Sequence, residues 1–149
     1  MPRILALDYG KRRTGYALSD PGARLVGKSG HLQCKSLAEL QAAVLDLCRQ
    51  EEVTEAVIGV PLHMDGSRSP MSDDVERFIT ALAQSGGPAM HRWDERLTSR
   101  EAGARLDETG SRPRRENGRT DAMAASLILE AFLEQRRMRI AADSAQEPP

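Results

Sequence analysis

The stretch ILALDYGKRRTGYALSD, residues 4–20, constrains this chain more than any other. Two short apolar runs, RILALD (3–8) and TGYALSD (14–20), stand either side of a glycine and three cations. That pattern predicts two antiparallel strands joined by a hairpin. The first run ends on Asp8, an acid placed where a buried strand stops. DPG (20–22) then turns the chain into ARLVGKSG (23–30), a weaker third strand.

Downstream, strands alternate with helices. SLAELQAAVLDLCRQ (36–50) carries leucines at 37, 40, 45 and 47 behind a Ser36/Glu39 capping box, which predicts a helix. EAVIGVP (55–61) is a β-branched run closed by proline, and after the loop LHMDGSRSP a helix starts near residue 70, capped by Ser69 with Pro70 in its first position. PAMHRW (88–93) reads as a strand, and DERLTSRE ends it and opens a helix of two to three turns through a Thr98/Glu101 capping box. DETGSRPRRENGR (107–119) is a polar, arginine-bearing loop. TDAMAASLILEAFLEQRR (120–137) is the longest predicted helix, apolar nearly all round over 122–133 and therefore expected to be buried. AADSAQEPP has little to bury.

Three strands in a meander, each later strand reached through a helix, demand parallel additions by right-handed crossovers. The expected fold is α/β: a mixed five-stranded sheet, three strands antiparallel and two added in parallel, with helices on both faces. A length of 149 residues with 40% hydrophobic content suits one core. We expect a single domain over 1–138 and a disordered C-terminal tail over 139–149.

Acids and bases nearly cancel, 22 against 21, so bulk basicity does not announce nucleic acid, and any polyanion site must be local. Cys34 and Cys48 form no CxxC pair, which favours free thiols over a disulfide or zinc site. No signal-peptide or membrane-spanning apolar window is evident, so a cytoplasmic protein without membrane contact is expected.

The acids Asp8, Asp94 or Glu95, and Asp121 all fall at the ends of expected buried elements, where ligands of open α/β sheets gather. Each has an ordinary reading as well. Aspartate near glycine is turn chemistry, Glu95 can offset Arg96, and a carboxylate in a first helical turn suits the helix dipole. Together they are costly: converging carboxylates repel and resist desolvation unless a cation compensates. Hard divalent ions such as Mg²⁺ or Mn²⁺ prefer such oxygen ligands, and two of them can serve phosphodiester cleavage. Lys11, Arg12 and Arg13 flank Asp8, and Arg112, Arg114, Arg115 and Arg119 precede Asp121, positions suited to contacting phosphates. Aromatic residues make up only 3% of the chain, which argues against a base-stacking platform.

LALDYGKRRTGYALSD, VIGVPLHMDGS, WDERLTS and RTDAMAASLILEAFL together resemble, in order and spacing, the motifs of the bacterial YqgF/RuvX family, over about residues 3–136. The resemblance implies an RNase H-like fold and a metal-dependent hydrolase that cleaves structured nucleic acid, with a role in maturing the 5′ end of pre-16S rRNA during ribosome biogenesis. By position it makes Asp8, the Asp94/Glu95 pair and Asp121 the catalytic, metal-holding acids, with the choice within the pair open. The nucleic-acid-binding candidates are then Lys11, Arg12, Arg13, Arg96, Arg112, Arg114, Arg115 and Arg119. His63 stands where the family usually carries asparagine, and ranks lower as a substrate contact or proton shuttle. Expected partners are pre-rRNA or branched DNA, with a homodimer left open. The rival readings are a Holliday junction resolvase, a catalytically silent RNA- or protein-binding module, and an actin-like ATPase half, for which one domain is too few.

Overall fold

The computed structural model describes residues 3–63, 65–95 and 118–146. In chain order it contains β1 (Arg3–Asp8), β2 (Arg13–Ser19), β3 (Val26–Gln33), α1 (Leu37–Gln50), β4 (Val53–Val60), α2 (Pro70–Gln84), β5 (Ala89–Asp94) and α3 (Gly118–Gln146). The strands form one sheet in the order β3-β2-β1-β4-β5. β1 runs antiparallel to β2 and parallel to β4, β2 and β3 are antiparallel, and β4 and β5 are parallel. This is the mixed sheet expected from the order of the apolar runs.

Side chains alternate across the sheet and sort its residues into two cores. Leu5, Leu7, Leu18, Ala56, Ile58 and Val60 pack with Leu40 and Val44 of α1 and with Val75, Phe78 and Leu82 of α2. Ile4, Ala6, Ala17, Val57 and Trp93 pack instead under Ala125, Ile128, Leu129 and Leu133 of α3. β1 is buried on both faces because strands flank it on both sides and helices cover both its surfaces. The two helices on the first face begin as their caps require. Ser36 accepts a hydrogen bond from Glu39 N (3.1 Å) while Glu39 accepts one from Lys35 N (2.9 Å). Ser69 and Ser72 cap one another reciprocally, with Pro70 in the first turn.

Two boundaries and one burial pattern differ from expectation. The third strand starts at Val26, not Ala23, because Asp20 Oδ1 accepts hydrogen bonds from Arg24 N (2.7 Å) and Leu25 N (2.9 Å) and draws those residues into the turn. The last helix runs through to Gln146, past residue 137 where the predicted helix ended; MRIAADSAQ contains no glycine or proline to stop a helix. That helix is also not buried all round. It buries a single stripe, while Met123 is 48% exposed, because the sheet contacts only one side of it. The helix expected from Thr98 and Glu101 lies outside the described residues. Among the described residues, no helix is long and apolar enough to cross a membrane.

Candidate active site

The site is built from a row of three residues across the sheet. Asp8 pairs with Gly15 of β2, and because Leu7 pairs with Ile58, Asp8 has Gly59 of β4 at its other side. Ile4 and Ala6 face α3, so the alternation places Asp8 on that same face, as Ala17 and Val57 place Gly15 and Gly59. The missing side chains of the two glycines make room for the other acids. A Cβ on Gly15 would overlap the backbone of Asp121, whose Cα lies 3.1 Å from that position. A Cβ on Gly59 would stand 2.5 Å from Glu95 Oε1 and 2.9 Å from Ile128 Cδ1. Asp8 thus lies between a bay covered by the first turn of α3 and a bay holding the Glu95 carboxylate.

This arrangement separates the two members of the acidic pair. Trp93 belongs to the core under α3, whereas Met90 packs with the opposite core and Arg92 reaches Glu76 of α2. Asp94 follows Met90 and Arg92 in the alternation and falls on the α1/α2 side, opposite Asp8. Glu95, one residue past the strand, turns back over Gly59 on the side of Asp8. Gly15 and Gly59 were not among the candidates read from the sequence. The signal available was glycine inside a buried apolar run, which marks a close approach of another backbone or side chain.

Asp121 lies in the first turn of α3. Its Oδ2 is buried and accepts no hydrogen bond among the described residues, and Arg13 Nε stands 3.7 Å from it. A buried carboxylate oxygen without a donor is an unmet demand for positive charge. Three oxygen-donor side chains on one face and that orphaned atom suit a hard divalent cation. As the side chains lie, no three acidic, imidazole or thiol groups among the described residues stand together closely enough to hold an ion, and Arg13 supplies the charge beside Asp121.

Lys11 and Arg12 are exposed at the β1–β2 hairpin, whereas Arg13 is directed to Asp121. The hairpin itself is tight: Gly10 N donates to Thr14 Oγ1, and Thr14 Oγ1 donates to Gly10 O, both at 3.4 Å. His63 is exposed in the loop after β4, where its N–H donates to Ser67 O at 2.9 Å and Asp65 accepts from Ser67 N and Oγ. Those hydrogen bonds from Ser67 hold the Asp65 carboxyl below its usual range. Arg119 lies in the first turn of α3, and Arg96, Arg112, Arg114 and Arg115 lie outside the described residues.

A mixed sheet with an acid on its central strand, a second on the first turn of a covering helix and a third beyond the neighbouring parallel strand defines an RNase H-like domain. The same fold is seen in RuvC of T. thermophilus in complex with a Holliday junction substrate (TM-score 0.59, 12% identity, covering 91% of this chain and 96% of that one). It is also seen in the yeast mitochondrial Holliday junction resolvase (TM-score 0.56, 12% identity, covering 89% and 78%). Residues 2–135 match RuvX, a family described as Holliday junction resolvase, and the chain belongs to that family. It is 36% identical over 136 residues to a protein of Ruminiclostridium cellulolyticum named "Putative pre-16S rRNA nuclease", covering 89% of this chain and 94% of that protein. A protein of the same name from Koribacter versatilis is 38% identical over 135 residues, covering 90% and 88%.

Proposed function

We propose that this protein is a divalent-metal-dependent endonuclease that hydrolyses phosphodiester bonds of structured RNA, with the 5′ end of pre-16S rRNA as its substrate. The observation that carries the reading is the Gly15–Asp8–Gly59 row, which leaves space on one sheet face for Asp121 and Glu95 beside the central-strand acid. Asp8, Glu95 and Asp121 would hold Mg²⁺ or Mn²⁺, and Asp94 would not, since it terminates β5 on the other face. The bound ions would activate water and stabilise the leaving oxygen. Arg13 holds the charge of Asp121 in check at the rim of the site. Lys11, Arg12, Arg96, Arg112, Arg114, Arg115 and Arg119 position the substrate through its phosphates. The names of the relatives support RNA as substrate. Branched DNA is the second reading, favoured by the family description and by the junction-bound fold neighbour.

The experiment is cleavage of a radiolabelled rRNA stem-loop precursor and a four-way DNA junction in Mg²⁺ or Mn²⁺. Asp8→Asn and Glu95→Gln should stay folded and lose turnover, while Asp94→Asn should keep it. Full activity in Asp8→Asn would end the proposal, and cleavage of the junction alone would transfer it to DNA.

A further inference from the structure

Behind the β1–β2 hairpin, on the face opposite the acids, lies a cleft of about 320 Å³. The hairpin supplies Tyr9, Lys11 and Arg12, the first turn of α1 follows Lys35, and α2 contributes Asp74 and Arg77. Most cations of the described chain are matched to acids: Lys28 to Glu51, Arg68 to Asp73, Arg92 to Glu76, Arg136 to Glu55. Within the cleft, Arg77 is matched to Asp74 at 3.1 Å. Lys11, Arg12 and Lys35 have no ion-pair partner among the described residues, and all three are exposed. Three unmatched cations around one concave, polar space repel each other unless an anion joins them. The walls are fixed in place, since Cys34 N donates to Arg12 O (3.1 Å) and the Tyr9 ring packs on Phe78 at 6.0 Å.

We propose that this cleft is a second anion site, separate from the carboxylate face, which grips a non-scissile backbone phosphate of the nucleic acid through Lys11, Arg12 and Lys35. Tyr9 and Gly10 follow Asp8 directly, so a strand whose phosphate sits in the cleft passes over the end of β1 toward the acids. The inference rests on the reading of the chain as a nucleic-acid enzyme, and it assigns Lys35, a residue outside every motif of the sequence, to substrate binding.

The test measures binding in an Asp8→Asn background, so that it does not depend on turnover. A fluorescein-labelled rRNA stem-loop and a labelled four-way DNA junction are titrated at several salt concentrations. Arg12→Ala/Lys35→Ala should raise the Kd roughly 10–100-fold and make the slope of log K against log[salt] shallower by about 0.7–0.9 for the one phosphate lost. Arg24→Ala, an exposed arginine in the β2–β3 turn, should change neither. Equal slopes for the double variant and the parent would overturn the inference, and so would saturation of the cleft by inorganic phosphate in a calorimeter without any competition against RNA or junction. Unchanged binding in the double variant, beside lost cleavage in Asp8→Asn, would remove the cleft and leave the nuclease reading standing. Absence of binding to either nucleic acid in the parent would remove both.

Discussion

Replacing Gly59 by alanine perturbs the site at the point where the sheet and the acid meet. The new Cβ would stand 2.5 Å from Glu95 Oε1, 2.7 Å from Glu95 Cγ and 2.9 Å from Ile128 Cδ1. Carbon-range contacts settle near ~3.5 Å, so the carboxylate must retreat by about 1 Å. Glu95 carries a flexible side chain one residue past the end of β5, and the fold can give way there at modest cost. Overpacking of this kind costs ~1–3 kcal/mol, which corresponds to a Tm lowered by roughly 2–12 °C for a chain of this size. The chemical effect should be larger, because a displacement of ~1 Å in a catalytic group can cost ~10²-fold in rate. Single-turnover cleavage of a structured RNA, with a thermal melt on the same sample, reads both quantities. A folded Gly59→Ala protein that cleaves at the wild-type rate would refute the assignment of Glu95. Gly15→Ala supplies the contrast: its Cβ meets the Asp121 backbone and not a side-chain tip, so all of α3 must shift, and its Tm should fall further than that of Gly59→Ala.

The remaining predictions concern the scaffold. Arg92 grips both oxygens of Glu76 (2.7 and 2.8 Å), tying β5 to α2, and these hydrogen bonds hold the Glu76 carboxyl below its usual range. A depressed carboxylate contributes stability above its unfolded value and loses it as pH falls through the folded one. Arg92→Ala should therefore be ~0.2–1 kcal/mol less stable than wild type at pH 7, and denaturant titrations should show the gap closing below about pH 4. Ser69 caps α2 and also donates to Pro61 O, so Ser69→Ala should cost ~1 kcal/mol in urea unfolding. Burial pushes the Cys48 thiol up to about 11, and it should resist a thiol-specific reagent at pH 8 until the protein is denatured.

The strand-end position of Asp8 and the helix-start position of Asp121 were legible because hydrophobic periodicity locates the ends of elements. The mixed character of the sheet followed from the same periods, since a helix between strands forces a parallel crossover, whereas the order β3-β2-β1-β4-β5 is seen only in the structure. The choice between Asp94 and Glu95 was not legible. It depends on which face each residue takes after Trp93, and adjacent residues at the end of a strand differ in face only once the packing of that strand is known. The roles of Gly15 and Gly59 were hidden for a related reason: a glycine reveals a close approach without saying what approaches. The start of β3 was misread because the Asp20 side chain organises a longer turn than DPG alone suggests. Lys35 carries no motif, and its link to Lys11 and Arg12 exists only through the fold that brings α1 beside the hairpin.

The central claim is that oxygen ligands from β1, the residue after β5 and the first turn of α3 together form one divalent-cation-binding site. Titration of Mn²⁺ into the wild-type protein, followed by electron paramagnetic resonance, tests it without any substrate. Asp8→Asn, Glu95→Gln and Asp121→Asn should each weaken Mn²⁺ binding, and Asp94→Asn should bind as the wild type does. Equal Mn²⁺ affinity in all five proteins, or loss confined to Asp94→Asn, would contradict the account.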